Sequence, residues 1–232
     1  MQLSDTYDTD YADPNGSRLH AQKGTSVAEL LIVVVVIMIV ATFSILSLTG
    51  HKAAYKTDDQ ALQIIDLLRS ASLRAVTQRQ TIRVEINLTT NNVKMIDENL
   101  PASSADDVVV RSMALQNVAD VKLNAQPLNV TTLPPSPSNF PTAVYVASVH
   151  PSSISNNVFT IRFRIDGTVV NAGTDALGAN AAITSSTLFI WPPIPTDATR
   201  ARTTGAVRAI TIFGPTGNIR LWKYSGTSFV LG

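Results

Sequence analysis

The chain has no cysteine. Disulfides, thiol catalysis, thiolate-bound zinc and lipidation of a lipoprotein cysteine are therefore excluded, and the redox state of its compartment leaves no mark on it. Charge is scarce as well: Asp, Glu, Lys and Arg make up 15% of the 232 residues, the net formal charge is +1, and no charged residue lies between Leu30 and Leu48. Histidine occurs only as His20, His51 and His150, without an HExxH or HxxxH spacing for zinc. A Gly-x-Ser-x-Gly elbow and a phosphate-cradling glycine loop are also missing. The paired acids Asp58-Asp59 and Asp106-Asp107 read as solvated carboxylates, and Trp191 and Trp222 as packing aromatics. The expectation is a protein that is not an enzyme, with no cofactor and no metal.

What is present begins with the uncharged run itself. From Leu30 to Leu48 only Thr42, Ser44 and Ser47 are polar. As a helix the run spans roughly 28 Å, close to the hydrocarbon thickness of a bilayer. An export signal peptide competes for this reading, but the run exceeds a usual apolar core and no small-x-small cleavage site comes after it. A transmembrane helix over about 27–48 is therefore expected. Residues 1–24 are polar and rich in Asp, Ser and Asn, too poor in aliphatics to bury a core. Arg18 and Lys23 flank the apolar run, which places this end in the cytoplasm and translocates the chain beyond Leu48.

The helix is expected to continue past the membrane to about residue 80. No proline interrupts 51–80, and Ala54, Ala61, Leu62, Ile65, Leu68, Ser72 and Val76 recur at three- and four-residue steps. Gly50 costs such a helix only about 1 kcal/mol relative to alanine. At Thr81 the period becomes two: "TIRVEINL" sets Ile82, Val84, Ile86 and Leu88 on one face and Arg83, Glu85 and Asn87 on the other, with "TTNN" as a turn before "VKMI". Further strands are expected at 107–115, 119–123, 143–149, 158–165, 187–191, 207–213, 218–223 and 227–231. In "VFTIRFRIDGTVV", Phe159, Ile161, Phe163 and Ile165 alternate with polar residues, and Asp166-Gly167 marks a hairpin turn. "QPLNVTTLPPSPSNFP" and "IWPPIPTDATRARTTG" read as loops. The fold class is thus α+β: a long N-terminal helix over 25–80, its first half transmembrane, then an antiparallel β-sheet domain over 81–232.

Glu29 stands inside the first turns of the apolar helix. A carboxylate held in hydrocarbon costs a few kcal/mol and needs a partner, unless it rests among headgroups where the helix dipole favours an acid. Its neighbours point further. "KGTSVAELLIVVVVIMIV" resembles the prepilin signature of type IV pilins and type II secretion pseudopilins: Lys23-Gly24 matches the end of a leader, Thr25 the first mature residue and Glu29 the fifth, with Thr25 standing where the family usually has Phe. The resemblance implies cleavage between Gly24 and Thr25 by a prepilin peptidase, N-methylation of Thr25, and pairing of Glu29 with the free amine of a neighbouring subunit. It also implies other pilins or pseudopilins and inner-membrane lipid as partners. The implied location is the bacterial inner membrane, single-pass with an extracytoplasmic domain, then a pilus or pseudopilus.

Downstream, "QALQIIDLLRSASLRAVTQRQTIRVEINL" resembles the GspH/FimT branch of minor pseudopilins and minor pilins, as do "FRIDGTVV" and "AITIFGPTGNIRLWKY". Residues 98–157 match nothing in that branch. Arg69 and Arg74 read as a solvated helix face. After Asp175 the only acid is Asp197, against Arg200, Arg202, Arg208, Arg220 and Lys223. Members of the branch that take up DNA carry Gly-Arg-x-Arg near the C-terminus, where this chain has Gly217-Asn218-Ile219-Arg220. Arg208, Arg220 and Lys223 are accordingly the candidate nucleic-acid contacts of an alternative reading, a membrane-anchored β-domain that binds DNA or another ligand. A solvated sheet face is preferred to it.

Overall fold

The structure is a computed structural model describing residues 26–98, 107–134, 146–147, 157–175 and 177–232; the side chains of 43–54, 146–147 and 157 lie outside the description. It divides into two compact units, Met1–Leu46 and Ser47–Gly232. The boundary between them falls inside helix α1, Val27–Gln78. Gly50 does not break α1, as its small propensity cost suggests. The helix ends where Arg79 enters the left-handed region (φ 55°) and Gln80 N–H donates to the Ala75 carbonyl at 3.2 Å, a Schellman closure that satisfies an orphan carbonyl.

Strands come in the order β1 (Thr81–Asn87), β2 (Asn92–Glu98), β3 (Val108–Ala114), β4 (Lys122–Asn124), β5 (Val146–Ala147), β6 (Asn157–Phe163) and β7 (Val169–Val170). The second half of the chain adds β8 (Ser186–Trp191), β9 (Pro193–Ile194), β10 (Asp197–Ala201), β11 (Arg208–Phe213), β12 (Asn218–Tyr224) and β13 (Phe229–Leu231). They make one sheet of order β3-β2-β1-β6-β5 with β7 also on β6, a second of order β13-β12-β11-β8-β4, and a β9–β10 ribbon. All these pairings are antiparallel.

Three expectations change here. The segment read as a loop after Trp191 contains β9 and β10, because Asp197 opens the ribbon by accepting Thr199 N–H at 3.0 Å. Residues 118–120 form a turn, so the strand expected at 119–123 becomes the shorter β4. Ile165 leaves the alternating pattern for the turn between β6 and β7 and is 56% exposed. That turn otherwise obeys its sequence: Gly167 has φ 81°, and Asp166 Oδ1 accepts Thr168 N–H at 2.9 Å. The expected strand at 143–149 is described only at Val146–Ala147.

One apolar face of α1 (Ala61, Ile64, Ile65, Leu68, Ala71, Ala75) joins Ile82, Val84 and Ile86 of the first sheet and Leu188, Ile190, Ile210, Ile212, Ile219 and Leu221 of the second in a single core. Leu62 and Val76, expected on that face, are 56% and 48% exposed; seven residues of a 3.6-residue helix drift about 20° per repeat, and Ile64, Leu67 and Ala75 hold the buried stripe instead. The other face of the second sheet buries Phe189, Trp191, Ala209, Trp222, Tyr224 and Phe229, so strands such as β8 are apolar on both sides. The sheets meet at their turns: Val169 N–H donates to the Gly214 carbonyl at 2.7 Å, and a Cβ at Gly217 (φ 63°) would collide with the Gly167 carbonyl oxygen.

Candidate assembly site and buried ion cluster

Gly24 and Thr25, the expected cleavage and methylation positions, lie outside the described residues. Ser26 is the first described residue and caps α1: its Oγ accepts Ala28 N–H at 3.3 Å and its carbonyl accepts Leu30 N–H at 3.1 Å. Glu29 lies in the first turn, where the dipole favours an acid, and is exposed. Every described side chain from Val27 to Thr42 is exposed, including Leu30, Val36, Ile37, Met38 and Val40. Thr42 turns its hydroxyl inward, donating to the Met38 carbonyl at 2.7 Å, so even the polar residue presents little but methyl. A helix apolar all round has no inner and outer face; it demands an apolar surrounding. Among the described residues no helix is long and apolar enough to cross a membrane, and the apolar run of the sequence extends to Leu48, past the last described side chain of this stretch.

The polar face of β1 is not solvated. Arg83, Glu85 and Asn87, on the face opposite Ile82, Val84 and Ile86, are 1%, 2% and 5% exposed. The register explains the cluster that results. Arg83 lies opposite Arg162 of β6, and Glu85 opposite Thr160. Two guanidinium groups placed side by side repel unless an anion joins them, and Glu98, at the end of β2, does so: its Oε1 accepts from Arg83 Nη1 and from Arg162 Nε, the latter at 3.0 Å. Arg83 also donates from Nη2 to Asp107 Oδ2 at 2.8 Å and has Nε 3.0 Å from Glu85 Oε1, while Arg162 Nη1 donates to the Ala172 carbonyl. Burial on its own lowers the Arg83 pKa, but Glu98, Glu85 and Asp107 outweigh it and hold the group above its ordinary value. Asp107, read from sequence as a solvated acid, is thus a buried partner. This arrangement joins strands; it holds no nucleophile beside a base.

Further ion pairs tie α1 to the sheets, among them an exposed one of Asp66 with Arg111 of β3 at 2.9 Å and two partly buried ones. Arg74 Nη2 donates to Asp97 of β2 at 3.1 Å, so of the two helix arginines expected in solvent only Arg69 is exposed. Asp58 receives both Arg208 Nε and Nη2 of β11, the second at 3.1 Å. Arg208 Nη1 also donates to the Gly205 and Val207 carbonyls at 2.8 and 3.0 Å. Arg208 is 7% exposed, and the sequence hides its partner 150 positions earlier. Arg220 and Lys223 are exposed, but three positions apart on β12 they face opposite sides of the sheet. The three candidate contacts do not form one patch.

Sequence reading missed the Arg83–Glu98–Arg162 cluster, although it leaves a trace: "TIRVEI" at 81–86 and "TIRFRI" at 160–165 carry an arginine at the same place in two strands that pair. The side chains of His20, His51 and His150 all lie outside the description. Neither a family model nor a curated protein sequence matches the chain. Among solved structures, the type IV minor pilin FimU of Pseudomonas aeruginosa is similar, with a TM-score of 0.42 and 14% identity, over 76% of this chain and 93% of that one.

Proposed function

We propose that this chain is a prepilin-like structural subunit, assembled at low copy into a type II secretion pseudopilus or a type IV pilus. The carrying observation is the opening of α1: an apolar surface exposed on all sides, with Glu29 as its sole described charge, continuous with a helix whose later turns are locked into a β-rich unit. Such a surface is stable in a bilayer and equally in a filament core built from copies of the same helix. Glu29 needs a cation in either setting. Cleavage after Gly24 creates one, the amine of Thr25, which after N-methylation pairs with Glu29 of the neighbouring subunit and sets the axial register. A low dielectric strengthens that pair, and leaving either partner alone is costly. Before assembly the segment anchors the protein in the inner membrane, with the β-rich unit extracytoplasmic.

The test is processing. Coexpression with a prepilin peptidase is expected to shorten the chain by its leader, and Gly24→Ala to leave the precursor at full size in the membrane fraction. A chain that keeps residues 1–24 whether or not the peptidase is present is an ordinary anchored β-domain, and the proposal fails.

A further inference from the structure

Between α1, the β1–β2 turn, the β3–β4 connection and β4 lies a cavity of 120 Å³. Its walls are mostly aliphatic, with Leu88, Leu115, Val121 and Leu123 among them, and two polar side chains in its lining are left unfinished. Gln60, 2% exposed, accepts Gln116 N–H on Oε1 at 2.6 Å. That bond fixes the orientation of the amide, so the buried atom without a partner is the donor, Nε2. Across the lining, Asn91 has the opposite deficiency: its Oδ1 is buried and accepts nothing. A buried donor left unpaired costs about 1–3 kcal/mol, and native proteins rarely leave one without reason.

We propose that this cavity is a binding site for a small carboxamide: a compact apolar body carrying an uncharged amide, either a free molecule or the side chain of a partner protein. The volume is near that of apolar cavities of about 150 Å³ that admit benzene. The polar demands select the chemistry. A ligand must accept from Gln60 Nε2 and donate to Asn91 Oδ1, and an amide does both. A carboxylate would serve Gln60 but set a negative oxygen against Asn91 Oδ1. The one cation in the lining, Lys122, donates from Nζ to the Ala198 carbonyl at 2.8 Å. A hydrocarbon would leave both amides unpaired. The site is independent of Glu29 and of processing.

The experiment uses the full chain in detergent micelles with labelled leucine and valine methyls. Isobutyramide is expected to shift the Leu88, Leu115 and Leu123 methyls saturably in the millimolar range, and isobutyrate to bind at least roughly tenfold more weakly. Val118 lines the cavity and is 44% exposed, so Val118→Trp narrows the entrance without touching a buried group and should abolish the shifts. Gln60→Met keeps the volume and should erase the preference for amide over acid. Acetyl-glutamine-amide separates the sources: binding at least as tight as that of isobutyramide identifies a protein side chain, and its exclusion identifies a free amide. Absent or unsaturable shifts mean that the cavity holds water alone, and equal binding of amide and acid means that Gln60 and Asn91 do not select; either result overturns the proposal.

Discussion

Asp166 shows how much a single side chain can decide. Its Oδ1 accepts the Thr168 hydroxyl at 2.6 Å and the Thr168 N–H at 2.9 Å, and these two bonds, the hydroxyl first, hold the carboxyl pKa below its ordinary 3.8. A depressed pKa contributes stability that is complete above the unfolded value and fades as pH falls through the folded one, so the turn loses this support only in acid below about pH 4. Thr168→Ala removes the stronger bond and should raise the Asp166 pKa partway to the ordinary value in a carboxyl NMR titration; an unchanged midpoint would show that the hydroxyl is not the cause. The turn itself was legible, because Asp-Gly carries its own backbone preference. Arg79 was not: nothing in "TQRQT" announces a left-handed residue at the end of α1.

Single elements were legible where one physical pattern ruled them. The length of α1 reflects the absence of proline, and β1 and β6 reflect alternation. Alternation tells which residues share a face, and it is silent on whether the polar face meets water or other protein. The burial of Arg83, Glu85 and Arg162 is therefore not legible from it. The consequence is measurable. On a solvated face Arg83→Met would change stability by within about 0.5 kcal/mol. In the cluster it removes the guanidinium shared by Glu98, Glu85 and Asp107 and should cost about 3–5 kcal/mol, read by denaturant unfolding of the full chain in micelles. Replacing the whole cluster with apolar residues of similar volume should cost far less, since the penalty belongs to the charge left behind.

For the whole molecule, the sequence divides a polar N-terminal stretch, an apolar run and a β-rich remainder, and the α+β architecture with antiparallel sheets accords with the last of these. The Gln60 cavity and the Asp58–Arg208 pair were beyond reach, because each joins segments separated by many positions and neither leaves a local period. The candidate assembly residue belongs to this scale, since the role proposed for Glu29 requires another copy. Glu29→Ala should be processed at the normal rate and inserted in the membrane, yet be missing from sheared filaments or from cross-linked pseudopilus complexes. Wild-type incorporation of that variant would sink the pairing.

The Asp58–Arg208 and Arg74–Asp97 pairs also have a mechanical meaning. Asp58 is held by β11 of the second sheet and Arg74 by β2 of the first, and the aliphatic seam between them engages both sheets. An axial pull on this part of the helix therefore loads both pairs and the seam at once, in shear, instead of peeling contacts open one after another. Tension applied along these turns is thus shared between two sheets, with no single strand bearing it.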